Sequence, residues 1–142
     1  MKHTLRLTLA AACAVLAAAP ALAQTGALRT ERTLTLELAS QIATSTVAAC
    51  QAKGYAVSAA VVDRAGNLRV LLRADNAGPH TIESARQKAF TSASARNNTQ
   101  AMMEGAQKNP GAANLVHLPG FLLLGGGVPV RAGDEVVGAV GV

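Results

Sequence analysis

Residues 71–99, LLRADNAGPHTIESARQKAFTSASARNNT, decide how the rest of the chain is read. The segment begins as the end of an apolar strand and turns through Asn-Ala-Gly-Pro at 76–79. Glycine permits positive φ and proline fixes its own, so together they end an extended run. A helix is predicted over 81–96, with His80 where it begins. Ala85, Ala89 and Ala93 recur every four residues and leave one helix face nearly smooth. A smooth face admits a sheet, a second subunit or a flat ligand. Arg73, Arg86 and Lys88 surround the same junction, which makes it the candidate site.

Upstream lie a helix and a hairpin. A helix is predicted over 36–53, capped by Thr35, with Glu37 at the positive end of its dipole and Gly54 as its stop. Its apolar stripe is Leu36, Ala39, Ala43, Val47 and Cys50. Residues 56–62 are small and apolar almost without a break, the signature of a strand covered on both faces. A hairpin loop at 63–67, with Gly66 free to take positive φ, returns the chain into a strand over 68–73.

Downstream, Asn97-Asn98 interrupts the central helix, and Thr99 is placed to cap a shorter one through 107, ended by Asn109-Pro110-Gly111. Residues 121–124 are strongly apolar and read as a strand meeting Gly125-Gly126-Gly127. A further strand starts at 128–130, with Pro129 suiting an edge, and a second hairpin turn at 132–135 leads into a last strand over 136–142. The order α-β-β-α-α-β-β-β indicates an α+β domain with an antiparallel sheet. A domain seldom ends on a buried strand, so the expectation is a clipped sequence or a partner that covers the exposed face.

Composition narrows the function. The chain has 142 residues, 50% of them hydrophobic, enough for one compact domain. It contains no Trp, two Phe and one Tyr, which speaks against base-stacking platforms for single-stranded nucleic acid. The formal charge of +5 includes Lys2 and Arg6, and without them it is a mild excess suited to acidic ligands. Residues 1–23 read as a secretory signal: a charged start, an apolar middle over 7–19, and Ala21-Leu22-Ala23 before the expected cut. The apolar run is short for a membrane span, so a periplasmic or secreted location is expected. Residues 24–33 read as a flexible lead-in. Cys13 leaves with the signal and Cys50 remains alone, read as a core residue, with a thiolate ligand or an intermolecular bridge as the alternatives.

The chain resembles the GlcG/HbpS-like haem-binding family, also found as the C-terminal domain of PduO-type proteins. The resemblance covers roughly 34–142. It rests on LTLELA, the hairpin VVDRAGNLRVLLRADNA, the helix ESARQKAFTSASARNNT, and GGGVPV followed by GDEVVGAVGV. It implies a profilin-like fold, a five-stranded antiparallel sheet flanked by helices. It also implies homo-oligomers and binding of haem, or of a corrinoid as the alternative. Similar proteins usually continue into a Ser-Gly-rich loop and a last helix, which this sequence lacks.

Haem requires an apolar slot, an axial donor and cations for its propionates. His80 is the metal-ligand candidate, following a Gly-Pro turn at a helix start. His117, before Pro119-Gly120, is a second histidine candidate, and Met102 and Met103 offer sulfur. Arg73, Arg86 and Lys88 are the propionate candidates, since a guanidinium fork matches a carboxylate. Gly125-Gly126-Gly127 reads as a bend rather than a phosphate loop, because Lys-Ser/Thr does not follow. No Cys/His spacing suggests zinc, and Ser58, Ser84, Ser92 and Ser94 lack a nucleophile-elbow context. Three functions fit: an exported haem binder for storage, transport or sensing; a haem-degrading or other small-molecule enzyme fed electrons from outside; and a ligand-free oligomeric accessory protein.

Overall fold

A computed structural model of the chain describes residues 28–142. The expected signal segment lies outside the described residues, as does the first part of the lead-in. The unit that carries the fold runs from Glu31 to Val142.

Helix α1 spans Leu36–Gln51 and is capped as the sequence requires, with Thr35 accepting a hydrogen bond from the Leu38 amide at 3.2 Å. Strands β1 (Ser58–Asp63) and β2 (Leu68–Arg73) form the first hairpin. Its turn is held by Asp63, whose Oδ1 accepts from the Ala65 and Asn67 amides, and by Gly66 at φ +85°. Helix α2 spans Thr81–Ala95, and α3 spans Thr99–Lys108. A single turn, α4 (Pro110–Ala113), and a 3-10 turn (Asn114–His117) follow. Strands β3 (Gly127–Ala132) and β4 (Glu135–Gly141) form the second hairpin.

The sheet is antiparallel with strand order β2-β1-β4-β3, so β1 and β4 are central. Their small residues let a helix lie on each face. Ala59 and Val61 of β1 point to α1, against Ala39 and Ala43. Ala60 and Val62 point to α2, against Ala85, Ala89 and Ala93. The smooth alanine face is therefore spent on the sheet. Contact is close enough that a Cβ on Gly141 would strike the Ala85 carbonyl and stand 2.6 Å from the Ala89 nitrogen. Val61 and Val62 are fully buried, and each contributes about 1.5–2 kcal/mol of apolar burial.

Two expectations are corrected. The described residues form four strands, not five. The apolar run 121–124 is not a strand, because its Leu122 amide and its Phe121 ring are used elsewhere. The Leu122 amide donates to Thr91 Oγ1 of α2 at 2.8 Å, and Phe121 packs edge-on against Phe90 at 6.1 Å. The segment is a strap over α2, tied in place before β3 begins. Thr99 does not cap α3 either. Asn98 holds the cap position, and buried Thr99 Oγ1 accepts from the Gly127 amide at 2.7 Å, fixing the start of β3 to the helix pair. Both corrections share a cause: a buried hydroxyl must find a partner, and here the partner is a backbone amide of the segment leading into β3 or of its first residue.

Candidate functional site

Four pieces of chain meet at one end of α2 and enclose a cleft of about 580 Å³. The first is the end of α1 and its exit, where Gly54 at φ +82° turns the chain and the Tyr55 amide donates to the Cys50 carbonyl at 3.0 Å. The second is the approach to β1, from Tyr55 to Ser58. The third is α2, which contributes His80, Thr81, Ser84 and Lys88. The fourth is the glycine turn, with Leu124, Gly125 and Gly126 beside Val142. The volume is within the range of small-molecule sites.

His80, Ser84 and Lys88 are spaced by four, so they form one stripe along α2 that faces the cleft. His80 is exposed at the mouth, and its ring makes no hydrogen bond to a described residue. The ring folds back over Gly78, where a Cβ would stand 2.7 Å from its Cε1. Thr81 Oγ1 donates to the Gly78 carbonyl at 2.6 Å, so Ser58 Oγ must be the donor in its 2.7 Å contact with Thr81. Both hydroxyl protons of that pair are therefore used within the protein. Ser84 Oγ has only a 3.4 Å contact with the Thr81 carbonyl.

Lys88 lies deeper. Its ammonium donates to the Val142 backbone oxygen at 2.8 Å, and burial pushes its pKa below the ordinary lysine value. Among the described residues, no Asp or Glu lines the cleft, and Lys88 is the one Lys or Arg that does. Gly126, at φ +120°, is obligatory here, since a Cβ would strike the Val142 oxygen and crowd Lys88 Nζ at 3.2 Å. The glycine run thus serves close approach as well as bending.

Of the five residues marked from sequence, the fold brings together two, His80 and Lys88. The others are elsewhere. Arg73 is exposed and donates from its guanidinium to the Ala77 carbonyl, which fixes the 74–77 turn. Arg86 pairs with Glu83 one turn earlier on α2, Nε to Oε2 at 2.9 Å. That pairing raises the guanidinium's pKa and holds the carboxyl below its usual range. His117 is exposed on the 3-10 turn, away from the cleft. Met102 and Met103 are half-buried on α3 and do not line it either.

Cys50 is the opposite case. It was expected in the core, yet it is half-buried and lines the cleft wall, because α1 buries Ala39 and Ala43 and has turned past its core face by its last turn. Tyr55, Thr81 and Ser84 were missed as well. The signal for Ser84 was present in the sequence, as the middle member of the spacing His80-Ser84-Lys88. Tyr55 and Cys50 carry no local signal, since only the turn at Gly54 aims them at α2.

A family model described as "Haem degrading protein HbpS-like" matches residues 34–142. The chain belongs to this HbpS-like family. Among curated relatives, Protein GlcG of Escherichia coli K12 is 34% identical over 115 residues, covering 81% of this chain and 84% of that protein. Among solved structures, a double mutant of Streptomyces reticuli HbpS superposes with a TM-score of 0.78 at 42% identity, covering 88% of this chain and 84% of that one. The PduOC:heme complex superposes with a TM-score of 0.68 at 22% identity, covering 77% and 80% of the two chains, and this shows a shared fold. All three likenesses extend over the HbpS-like sheet and its helices rather than over one motif.

Proposed function

We propose that this chain binds haem in the cleft beside α2, with His80 as the axial donor. One observation carries the reading: an imidazole with no hydrogen bond to a described residue stands at the mouth of a small-molecule-sized cleft, half of whose lining residues are Ala, Val, Leu or Gly. The residues present fit the group. A neutral imidazole suits iron, the walls suit a porphyrin edge, and Lys88 suits an acid substituent. When bound, haem supplies the iron's redox and oxygen chemistry. The chain's own residues exclude water, orient the ring and hold one charge. Support comes from the family description and from a haem complex in the same fold.

The test is a titration with hemin followed by absorption. The expected result is a Soret shift that His80→Ala weakens by roughly tenfold or more, the scale on which lost support of a metal ligand acts. An unchanged spectrum in the wild-type protein at micromolar hemin would overturn the reading. Competition with a corrinoid distinguishes the alternative ligand.

A second reading, turnover of the bound haem, is favoured by the family's description as haem-degrading. It predicts Soret decay and iron release in the presence of a reductant and oxygen, and a stable band argues against it. Export, storage or sensing, and assembly into a homo-oligomer belong to the same proposal. They are tested by fractionation of the producing cell and by light scattering. A stable oligomer that takes up no tetrapyrrole would leave the accessory-protein reading.

A further inference from the structure

We infer that Tyr55 is the stacking surface of the cleft, a ring that lies against the plane of a flat conjugated ligand and selects for that plane whether or not it carries a metal. The inference deepens the haem reading and rests on it for the porphyrin, but not for the iron. An inventory comes first. The whole chain holds three aromatic carbocycles, Phe90, Phe121 and Tyr55. The two phenylalanines pack edge-on against each other at 6.1 Å, and neither lines the cleft. Phe90 is also enclosed by two turns, since a Cβ on Gly66 would stand 2.7 Å from its ring and one on Gly120 3.3 Å. Tyr55 is the ring that remains, and it lines the cleft. It is 64% exposed, with no hydrogen bond from its hydroxyl and no ring contact to a described residue.

The backbone beneath this ring is fixed. The Tyr55 amide donates to the Cys50 carbonyl at 3.0 Å, and the Gly54 amide to the Gln51 carbonyl at 2.9 Å. Two residues on, the Val57 carbonyl accepts from the Ala74 amide at 2.9 Å, which joins the segment to the end of β2. An aromatic side chain on such a backbone has two torsions to lose when a ligand arrives, so ordering it costs little. A second hollow of about 250 Å³ is lined by Tyr55 together with Gln51, Gly54 and Ala56. The ring thus borders two spaces and turns toward the cleft without displacing a packed side chain. Stacking combines attraction between π faces with apolar area removed from water, and it requires neither charge nor metal. His80 comes from α2 and Tyr55 from the exit of α1, so the two selections, for iron and for a plane, belong to separate pieces of chain.

The experiment compares hemin with protoporphyrin IX, the same ring without iron, by absorption and by porphyrin fluorescence. The proteins are wild type, Tyr55→Ala, Tyr55→Phe and His80→Ala. Loss of one stacking ring is worth about tenfold in affinity. The expected result is that Tyr55→Ala loses about that factor on both porphyrins, and that Tyr55→Phe, which keeps the ring, rescues most of it. His80→Ala should lose more on hemin than on protoporphyrin. Tyr55→Ala that binds both porphyrins as wild type does would overturn the inference. So would Tyr55→Phe that loses as much as Tyr55→Ala, because the hydroxyl is then the contact. If His80→Ala changes hemin binding no more than protoporphyrin binding, the iron reading fails, and the Tyr55 variants on protoporphyrin still decide the stacking. If neither porphyrin binds, both fall. Because Tyr55 is the one tyrosine of the chain, its nitration by tetranitromethane in the dark, read by peptide mass, gives a second measure. Protoporphyrin should slow it severalfold, and an unchanged rate with the porphyrin bound would overturn the inference. Circular dichroism of each variant establishes that it is folded.

Discussion

Gly78 illustrates how one residue sets the site. It packs beneath the His80 ring, and a methyl there would meet Cε1 at 2.7 Å and Nδ1 at 2.9 Å. Gly78→Ala should rotate the imidazole out of line, weakening hemin binding severalfold with little change in melting temperature, and spectroscopy beside a thermal melt checks both. Arg96 makes the complementary point about stability. It ends α2 in the left-handed conformation at φ 55°, where glycine carries no steric cost. Arg96→Gly should stabilise the fold by about 0.5–1 kcal/mol, read as a shift of the urea midpoint. The backbone oxygen that accepts from Arg131 Nη2 at 3.1 Å is retained in that variant.

At the scale of elements, α2 is held flat on the sheet by the absence of side-chain bulk on both partners. Ala85 and Ala89 lie over β4, and Gly141 admits their backbone directly. Gly141→Ala should therefore lift the helix from the strand at a cost of about 1–3 kcal/mol, as overpacking does. Because the same helix carries His80 and Lys88, hemin affinity should fall with it. A denaturation series and a hemin titration on the same variant separate the two effects. The strap at 121–124 is the second controlling element. Thr91 ties it down at Leu122 and Thr99 fixes the start of β3 beyond it, both through buried hydroxyls, and none of the described buried side-chain polar atoms lacks a partner. Thr91→Val leaves the Leu122 amide without that acceptor at nearly unchanged volume, and should cost about 1–3 kcal/mol in equilibrium unfolding.

For the molecule as a whole, the cleft couples charge to folding. A lysine whose folded pKa is depressed binds fewer protons folded than unfolded between its folded and ordinary values. Stability therefore rises with pH through that window, and Lys88→Met should flatten the rise. The quantity to measure is the difference in stability between wild type and variant across alkaline pH. Much of the architecture was legible in the sequence, for definite reasons. Both hairpins, the capped first helix and the helix after Gly78-Pro79 follow from local rules: short apolar runs, caps and turn glycines. Local periodicity also exposed the alanine face, but not whether sheet, subunit or ligand would occupy it. Distance in the chain explains the failures. Hydrophobicity alone marked 121–124 as a strand, yet the Thr91 hydroxyl, in a helix far earlier in the chain, claimed the Leu122 amide. Arg73 and Arg86 looked like ligand cations until partners three or four residues away in sequence took them up. By itself the sequence determined the elements and the chemical inventory, because caps, turns and burial patterns act within a few residues. Only the tertiary structure decided which members of that inventory share a cleft, because that depends on where α1 ends, where the strap is tied, and how closely the alanine face of α2 approaches Gly141 of β4.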